Sequence, residues 1–347
     1  MKKLLEVSFR QKFKTLFDKG LFGSFNNVLI QDATHFSLPH CLCAVFPGSY
    51  SKYGEAATAK VQAVFSLTKG VFSNFKLCSF RDNDQKDALR IAGMINKGDL
   101  VIRDLGYFTL HSFISIKDKG AHFLSRFRYG LIVHDTDTGC RFNLLKYLKK
   151  NGRIDKWVEI GTGQRLKCRI VAVPLSKKIA AERRRKAKAD RNKKANHSAA
   201  YMELLGYSIY ITTVSSEIWP PGQVAQAYRC RWYIEILFKG WKSGLHIKMN
   251  IPERYVDQQR AEFFFYASLL LVSLVVMPIF IRAITAGFKL GRCISIIKTC
   301  SFIIQEIQTL NRYKRLDRLL DHIVYHCAYE HRKSRINTIE LILSPAC

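Results

Sequence analysis

Acidic side chains are scarce in this sequence. Its 347 residues carry 27 Asp and Glu against 56 Lys and Arg, a formal net charge of +29 with His neutral. A folded chain this short of anions calls for a polyanion, an anionic membrane or an acidic partner, and nucleic acid leads among these. Paired cysteines are missing too. The ten cysteines are scattered, Cys41 and Cys43 are the closest, and no C-x-x-C occurs, which argues against a zinc ribbon or a thioredoxin-like site. They read as reduced, mostly buried thiols of a cytosolic protein. No P-loop and no G-x-G-x-x-G is present. Residues 1–25 hold no continuous apolar core, so no secretory signal is expected there. There is no internal repeat. Hydrophobic residues make up 48% of the chain, which excludes a wholly disordered, collagen-like or simple coiled-coil protein. The length suits one large domain or two to three smaller ones.

Two features invite alternative readings. His322, His326, Cys327 and His331 are close enough in sequence to suggest a metal. Without a matching second cluster, the polar face of a helix is the expected reading. Residues 263–281 carry no charge and reach the length of a membrane span. Tight flanking by Glu262 and Arg282, Pro278 near one end and the lack of a second span favour a core helix instead.

The pattern of apolar residues predicts the elements. A basic, modestly amphipathic helix is expected within residues 1–26. Val28-Leu29-Ile30 reads as a buried strand ending at Gln31-Asp32. Residues 60–67 alternate, with Val61, Ala63, Phe65 and Leu67 on one face; Lys69-Gly70 turns the chain into a second strand over 71–80. Ala88, Ile91, Ala92 and Ile95 recur at helical spacing and predict a helix over 82–97. Leu100-Val101-Ile102 is a buried strand ending at Arg103-Asp104, followed by a helix near 110–116 and a strand over 122–127. This order is an α/β layout. Residues 131–134, 157–160, 166–173 and 207–213 read as further strands. Between them, residues 177–194 form a basic stretch that includes Arg183, Arg184, Arg185 and Lys186; a DNA-backbone contact is preferred there over a solvated helix or linker. Pro220-Pro221-Gly222 precedes a helix over about 223–243, then come the apolar helix and another over 294–310.

The helix after Pro221 carries Tyr228, Arg231, Glu235, Lys239 and Lys242. At about 100° per residue they share one face, within about a fifth of a turn. Ile234, Leu237 and Trp241 point the other way. Taken alone, this is an ordinary Arg231–Glu235–Lys239 ladder. It is joined by two acids, Asp32 and Asp104, each at the end of a buried strand, where packing does not require a charge. Two strand-end carboxylates and a helix Glu are a way to hold magnesium, which takes few protein carboxylates and keeps positions for water and phosphate oxygens. Two such ions about 3.5–4 Å apart can serve an in-line displacement at phosphorus.

These residues match a family pattern. Gln31-Asp32-Ala33-Thr34 with Leu38-Pro39 and Phe46-Pro47-Gly48 forms a first block. Gly98 through Phe108, containing Asp104-Leu105-Gly106-Tyr107, forms a second. Tyr228-x-x-Arg231-x-x-x-Glu235-x-x-x-x-x-x-Lys242 is a full-spacing Y-R-E-K signature, with Trp232 after the Arg. Over residues 28–260 the chain resembles bacterial insertion-sequence transposases of the DDE type, in the IS-four group. The resemblance implies an α/β, RNase H-like catalytic core, a mixed sheet flanked by helices, with a β-rich insertion between the second Asp and the Glu. The corresponding division is a short N-terminal helical segment or remnant at 1–27, core at 28–129, insertion at 130–213, core at 214–283 and a basic helical region at 284–347. It implies Asp32, Asp104 and Glu235 as catalytic and metal-binding acids, with Mg2+ or Mn2+. Tyr228, Arg231 and Lys242 would contact DNA, with Lys239 and the basic stretch adding charge. The implied chemistry is cleavage at transposon ends and transfer of the 3′-hydroxyl into target DNA, by a homodimer in a synaptic complex in the bacterial cytoplasm, at the nucleoid and off the membrane. Relatives carry a helical DNA-binding domain before the first Asp, whereas only a short segment precedes Asp32 here, so a truncated copy is one expectation. A non-catalytic DNA-binding remnant is the alternative reading.

Overall fold

The computed structural model describes residues 1–8, 20–52, 54–191, 198–247, 251, 256–306 and 316–329. The chain divides into two compact units, one formed by residues 1–23, 27–87 and 230–347, the other by 24–26 and 88–229. Among the described residues the strands are β1 (Val28–Ser37), β2 (Pro47–Ser51), β3 (Gly54–Ser66), β4 (Val71–Ser79), β5 (Leu100–Arg103), β6 (His122–Arg126), β7 (Val133–Asp135), β8 (Ile154–Ile160), β9 (Leu166–Pro174) and β10 (Tyr207–Thr212).

In the first unit β3 is the organising strand, pairing antiparallel with β1, β2 and β4. The β3–β4 hairpin turns through Gly70 at φ +69°, a backbone region that glycine enters without a Cβ clash. Aromatic side chains of the hairpin bind the segment that follows Arg231. Phe72 and Phe75 lie 4.8 and 5.5 Å from the Trp241 ring, Phe238 lies 5.0 Å from it, and Phe65 packs 5.6 Å from Tyr233. Trp241, Ile234 and Leu237 are fully buried, as their helical spacing predicts. Burial of that face leaves the opposite face to carry Glu235.

Two details differ from the sequence reading here. β1 does not stop at Gln31-Asp32; it runs on to Ser37, so Asp32 sits inside the strand opposite Ala63. The polar Gln31 is accommodated because its amide donates to the carbonyl and the carboxylate of Asp87, each at 3.0 Å. The single helix expected over 223–243 is two, Pro221–Arg229 and Trp232–Lys239, followed by a π-helical turn over Gly240–Gly244. At Gly244 a Cβ would come within 2.5 Å of Cys300 Cβ, so the helix Ile296–Glu306 sits against bare backbone there. The apolar run lies in the helices Gln258–Leu271 and Met277–Lys289 joined by a π turn. By length and composition this is the one stretch among the described residues that could cross a membrane; 39% of its most apolar window is buried. Phe265 is fully buried against Phe36 of β1, at 5.5 Å, whereas Phe263 is 49% exposed.

In the second unit β5 and β6 pair in parallel, joined across the helix Leu110–Asp118, and the sheet continues antiparallel through β10, β9, β8 and β7. All of β5 is buried, including Arg103, whose Nη1 donates to Ser112 Oγ at 2.9 Å and Nη2 to the Ala88 carbonyl at 2.6 Å. That contact explains another difference. The helix expected over 82–97 is a short turn, Asp84–Asp87, and a 3-10 helix, Arg90–Met94, because the Ala88 carbonyl serves Arg103 rather than a helical amide. The basic stretch forms the helix Lys177–Lys188, started by Ser176, whose side chain accepts from Ile179 N. Its 192–194 end, residues 9–19 of the N-terminal segment, residues 307–310 and His331 lie outside the described residues. Each unit is mixed α/β, as expected.

No disulfide joins the described cysteines. Burial pushes Cys78 up to about 11 and Cys300 up to about 12, and raises Cys168 as well. Cys41 and Cys140 are exposed. In the folded protein at pH 8, mass spectrometry after brief alkylation is expected to find label on Cys41 and Cys140 and none on Cys78, Cys168 or Cys300. Rapid labelling of those three would show that their packing is open.

Candidate active site

The Y-R-E residues keep part of the geometry read from their spacing. Arg231 directly precedes the helix Trp232–Lys239, and Glu235 lies one turn on. Its guanidinium reaches two carboxylates: Nη1 donates to Asp32 Oδ2 at 3.1 Å and Nη2 to Glu235 Oε1 at 2.7 Å. The Arg231 side chain is 7% exposed, Asp32 17% and Glu235 29%. Asp32 Oδ1 also accepts from Ala33 N at 2.8 Å. Acids far apart along the chain therefore converge on one cation. Charge-assisted bonds of this kind are about twice as strong as neutral ones. The ladder reading accounts for Arg231–Glu235 but not for Asp32. Lys239 is exposed and, among the described residues, makes no ion pair with Glu235.

Other cations line the same strand. Lys242 places Nζ 5.5 Å from the Phe36 ring, and partial desolvation holds its ammonium below the usual lysine pKa. Partial desolvation, then the charges of Lys60 and Lys242, hold the His35 imidazole below the usual histidine value. The carboxylate pair is thus flanked by positive charge, which suits phosphate.

The other two signature residues meet within the second unit. Asp104 follows β5 directly, as expected, and Tyr228 Oη donates to its Oδ1 at 3.3 Å. Tyr228 is 2% exposed, with the Tyr210 ring at 5.2 Å and the Arg126 guanidinium carbon 5.4 Å from its ring centroid. A cavity of about 460 Å³ opens beside it, lined by Leu105, Arg126, Arg128, Tyr129, Arg183 and Tyr210 among others. Burial, then the neighbouring Arg126, depresses the Arg183 pKa. Arg126 and Arg128 escaped the sequence reading. Their signal was the spacing Arg126-Phe127-Arg128 just past the buried Phe123-Leu124-Ser125 of β6, two cations two residues apart at a strand end.

The basic helix is less free than its charge suggests. Arg183 donates to the Tyr207 carbonyl and Ser208 Oγ, and Arg184 Nε to the Met202 carbonyl at 2.9 Å. Lys186 pairs with Glu182 at 2.7 Å in the exposed part of the helix, where Arg185 is also exposed.

Among the described residues no group of three or more His, Cys, Asp or Glu side chains forms a metal cage. Magnesium does not need one. It is held by one or two carboxylates together with waters and substrate phosphates, and the hard oxygens of Asp32 and Glu235, already drawn to one cation, are donors of that kind. At the C terminus Cys327 is buried while His322 and His326 are exposed, as on a polar helix face.

Residues 23–274 match the family described as the transposase DDE domain. The chain is similar to the transposase for insertion sequence element IS231B of Bacillus thuringiensis subsp. berliner, 28% identical over 321 residues, covering 86% of this chain and 63% of that protein. It is similar to the transposase for element IS231C of the same organism, 29% identical over 338 residues, covering 92% and 66%. A third relative, the transposase for element IS1151 of Clostridium perfringens, is 26% identical over 249 residues, covering 66% and 52%. The chain spans less than two thirds of the length of each.

Proposed function

This chain belongs to the transposase DDE domain family, with its RNase H-like core, and on that premise we propose that it cleaves DNA at the ends of an insertion sequence and joins the freed 3′-hydroxyl to target DNA. The observation that carries this reading is the Arg231 guanidinium shared between Asp32 and Glu235. It joins the first-block acid to the signature helix, a link that neither residue needs for packing.

In this reading Asp32, Asp104 and Glu235 are the catalytic acids. Magnesium, when bound, supplies the positive charge that an in-line displacement at phosphorus requires. The protein's own side chains do the rest. Arg231 and Lys242 hold phosphate oxygens of the strand to be cut. Tyr228 fixes the orientation of the Asp104 carboxylate through its hydroxyl, and the cation-rich cavity lined by Arg126, Arg128 and Arg183 receives the DNA backbone. Exposed Lys239, Arg185 and Lys186 add charge at longer range; Arg184 is tied to its own unit and contributes less. The protein works as a homodimer that brings two ends together, on DNA in the bacterial cytoplasm.

The test is direct. Purified protein with Mg2+ is mixed with DNA carrying the inverted repeats that flank its reading frame. Strand cleavage at the repeat ends is expected, abolished by EDTA and absent on unrelated DNA. Salt-sensitive binding with no cutting under any divalent metal would establish the alternative, a DNA-binding remnant.

A further inference from the structure

Arg231 occupies the position that matters most for a metal. Its two terminal nitrogens take Asp32 Oδ2 and Glu235 Oε1. Those are the same hard oxygens that the proposed function gives to magnesium, and a lone pair donated to a guanidinium N–H is not also donated to a divalent ion. The bridge is nearly dry on the Arg side, at 7% exposure, so its two bonds are poorly screened. Without it the Asp32 and Glu235 carboxylates would lose the cation they share, which is unfavourable. The guanidinium therefore plays the electrostatic part of the metal in the DNA-free protein. The bridge also lies beside an aromatic ring. Arg231 Cζ lies 5.2 Å from the ring centroid of Trp232, which is 48% exposed, so the bridged guanidinium already rests on an aromatic side chain that reaches solvent.

We propose that Arg231 is a place-holder cation: it keeps the Asp32–Glu235 pair assembled and closed to divalent metal until a DNA phosphate draws it off, so that DNA loading and metal loading are coupled. This rests on the reading of Asp32 and Glu235 as metal ligands. Coupling of this kind is reciprocal: whatever DNA does for metal affinity, metal does for DNA affinity. The physical advantage is order of assembly. A site that takes metal weakly without DNA avoids a charged nuclease centre acting before the substrate is in place.

The test is Mn2+ affinity of the full chain without DNA, measured by electron paramagnetic resonance of free Mn2+. Arg231→Gln removes the competing charge, and Mn2+ should bind on the order of tenfold more tightly than to wild type. Mn2+ should also raise the melting temperature of this variant more than that of wild type. Arg231→Lys, whose single ammonium cannot span both carboxylates as the planar fork does, should fall between the two and carries the test if the Gln variant does not fold. A merely structural salt bridge gives variants that are less stable but bind Mn2+ no more tightly than wild type, and that result overturns the proposal. Failure of the underlying site looks different. If Asp32→Asn added to Arg231→Gln leaves Mn2+ affinity unchanged, Asp32 is not a ligand and both readings fall together.

Discussion

Asp32→Asn, Asp104→Asn and Glu235→Gln should each lower the rate of end cleavage by on the order of a thousandfold or more, while changing DNA affinity far less. Each substitution keeps the shape of the side chain and removes its charge. The charge is what a divalent ion needs, and metal-supplied stabilisation of a phosphoryl transition state is worth several kcal/mol. Each 1.36 kcal/mol is a factor of ten in rate, so losing most of it reaches this scale. Local bonding is largely spared. An Asn at position 32 still accepts from Ala33 N, and a Gln at 235 still offers Arg231 an amide oxygen. In the proposed function DNA affinity comes mostly from the surplus of Lys and Arg and from counterion release, which an acid-to-amide change leaves in place. Single-turnover cleavage on a sequencing gel, beside filter binding of the same duplex, separates the two quantities. A variant that cuts within tenfold of wild type loses its place among the catalytic acids.

How much of this was legible in the sequence depends on whether local pattern or distant partners decide the outcome. Asp104 was read in the right place because β5 is a short, wholly buried strand whose apolar triplet is bounded by its own chemistry. Asp32 was placed at a strand end because Gln31-Asp32 looks like a terminator. The partner strand β3 and the remote Asp87 make those polar residues acceptable inside the strand, and neither shows in a local window. The Arg231–Glu235 pairing followed from i,i+4 spacing and holds; the unbroken helix does not, since the chain turns at Cys230-Arg231 between Pro221–Arg229 and Trp232–Lys239, and ends in a π turn over Gly240–Gly244 where the helix Ile296–Glu306 presses against glycine. That Arg231 also reaches Asp32 could not be derived from periodicity at all.

The basic helix teaches the opposite lesson. A count of charges finds the helix and its sign, but it cannot separate a cation facing water from one already bonded to backbone. Arg183 and Arg184 donate to carbonyls of their own unit, and only the structure shows it. Conversely, Arg126 and Arg128 are too few to register as a run, yet they line the cavity beside Tyr228. Three-dimensional convergence, not density along the chain, gathers cations at one surface.

Asp155→Ala should cost about 3–5 kcal/mol of stability, the range for stripping a buried charge of its partner. Arg169 is 1% exposed in β9, and the neighbouring β8 supplies its counter-charge. Nε and Nη2 donate to the two Asp155 oxygens at 2.5 and 2.8 Å, while Nη1 donates to the carbonyls of Val214 and Trp219 at 3.2 and 2.8 Å. An alanine at 155 removes the acid and leaves the guanidinium buried with two neutral acceptors. Against a typical total of about 5–15 kcal/mol, that loss is large. It also reaches the site. The same guanidinium pins Val214 and Trp219, Trp219 packs 5.0 Å from Phe25, and the next helix, Pro221–Arg229, carries Tyr228. Urea denaturation at neutral pH measures the effect. The double variant Asp155→Ala with Arg169→Met is the control, because it removes the buried guanidinium together with its partly exposed partner and leaves no uncompensated buried charge. Its midpoint should lie well above that of Asp155→Ala alone. If the single variant loses less than about 1 kcal/mol, within the range of an ordinary exposed ion pair, the guanidinium is reached by water and this anchor is not what holds the approach to Tyr228.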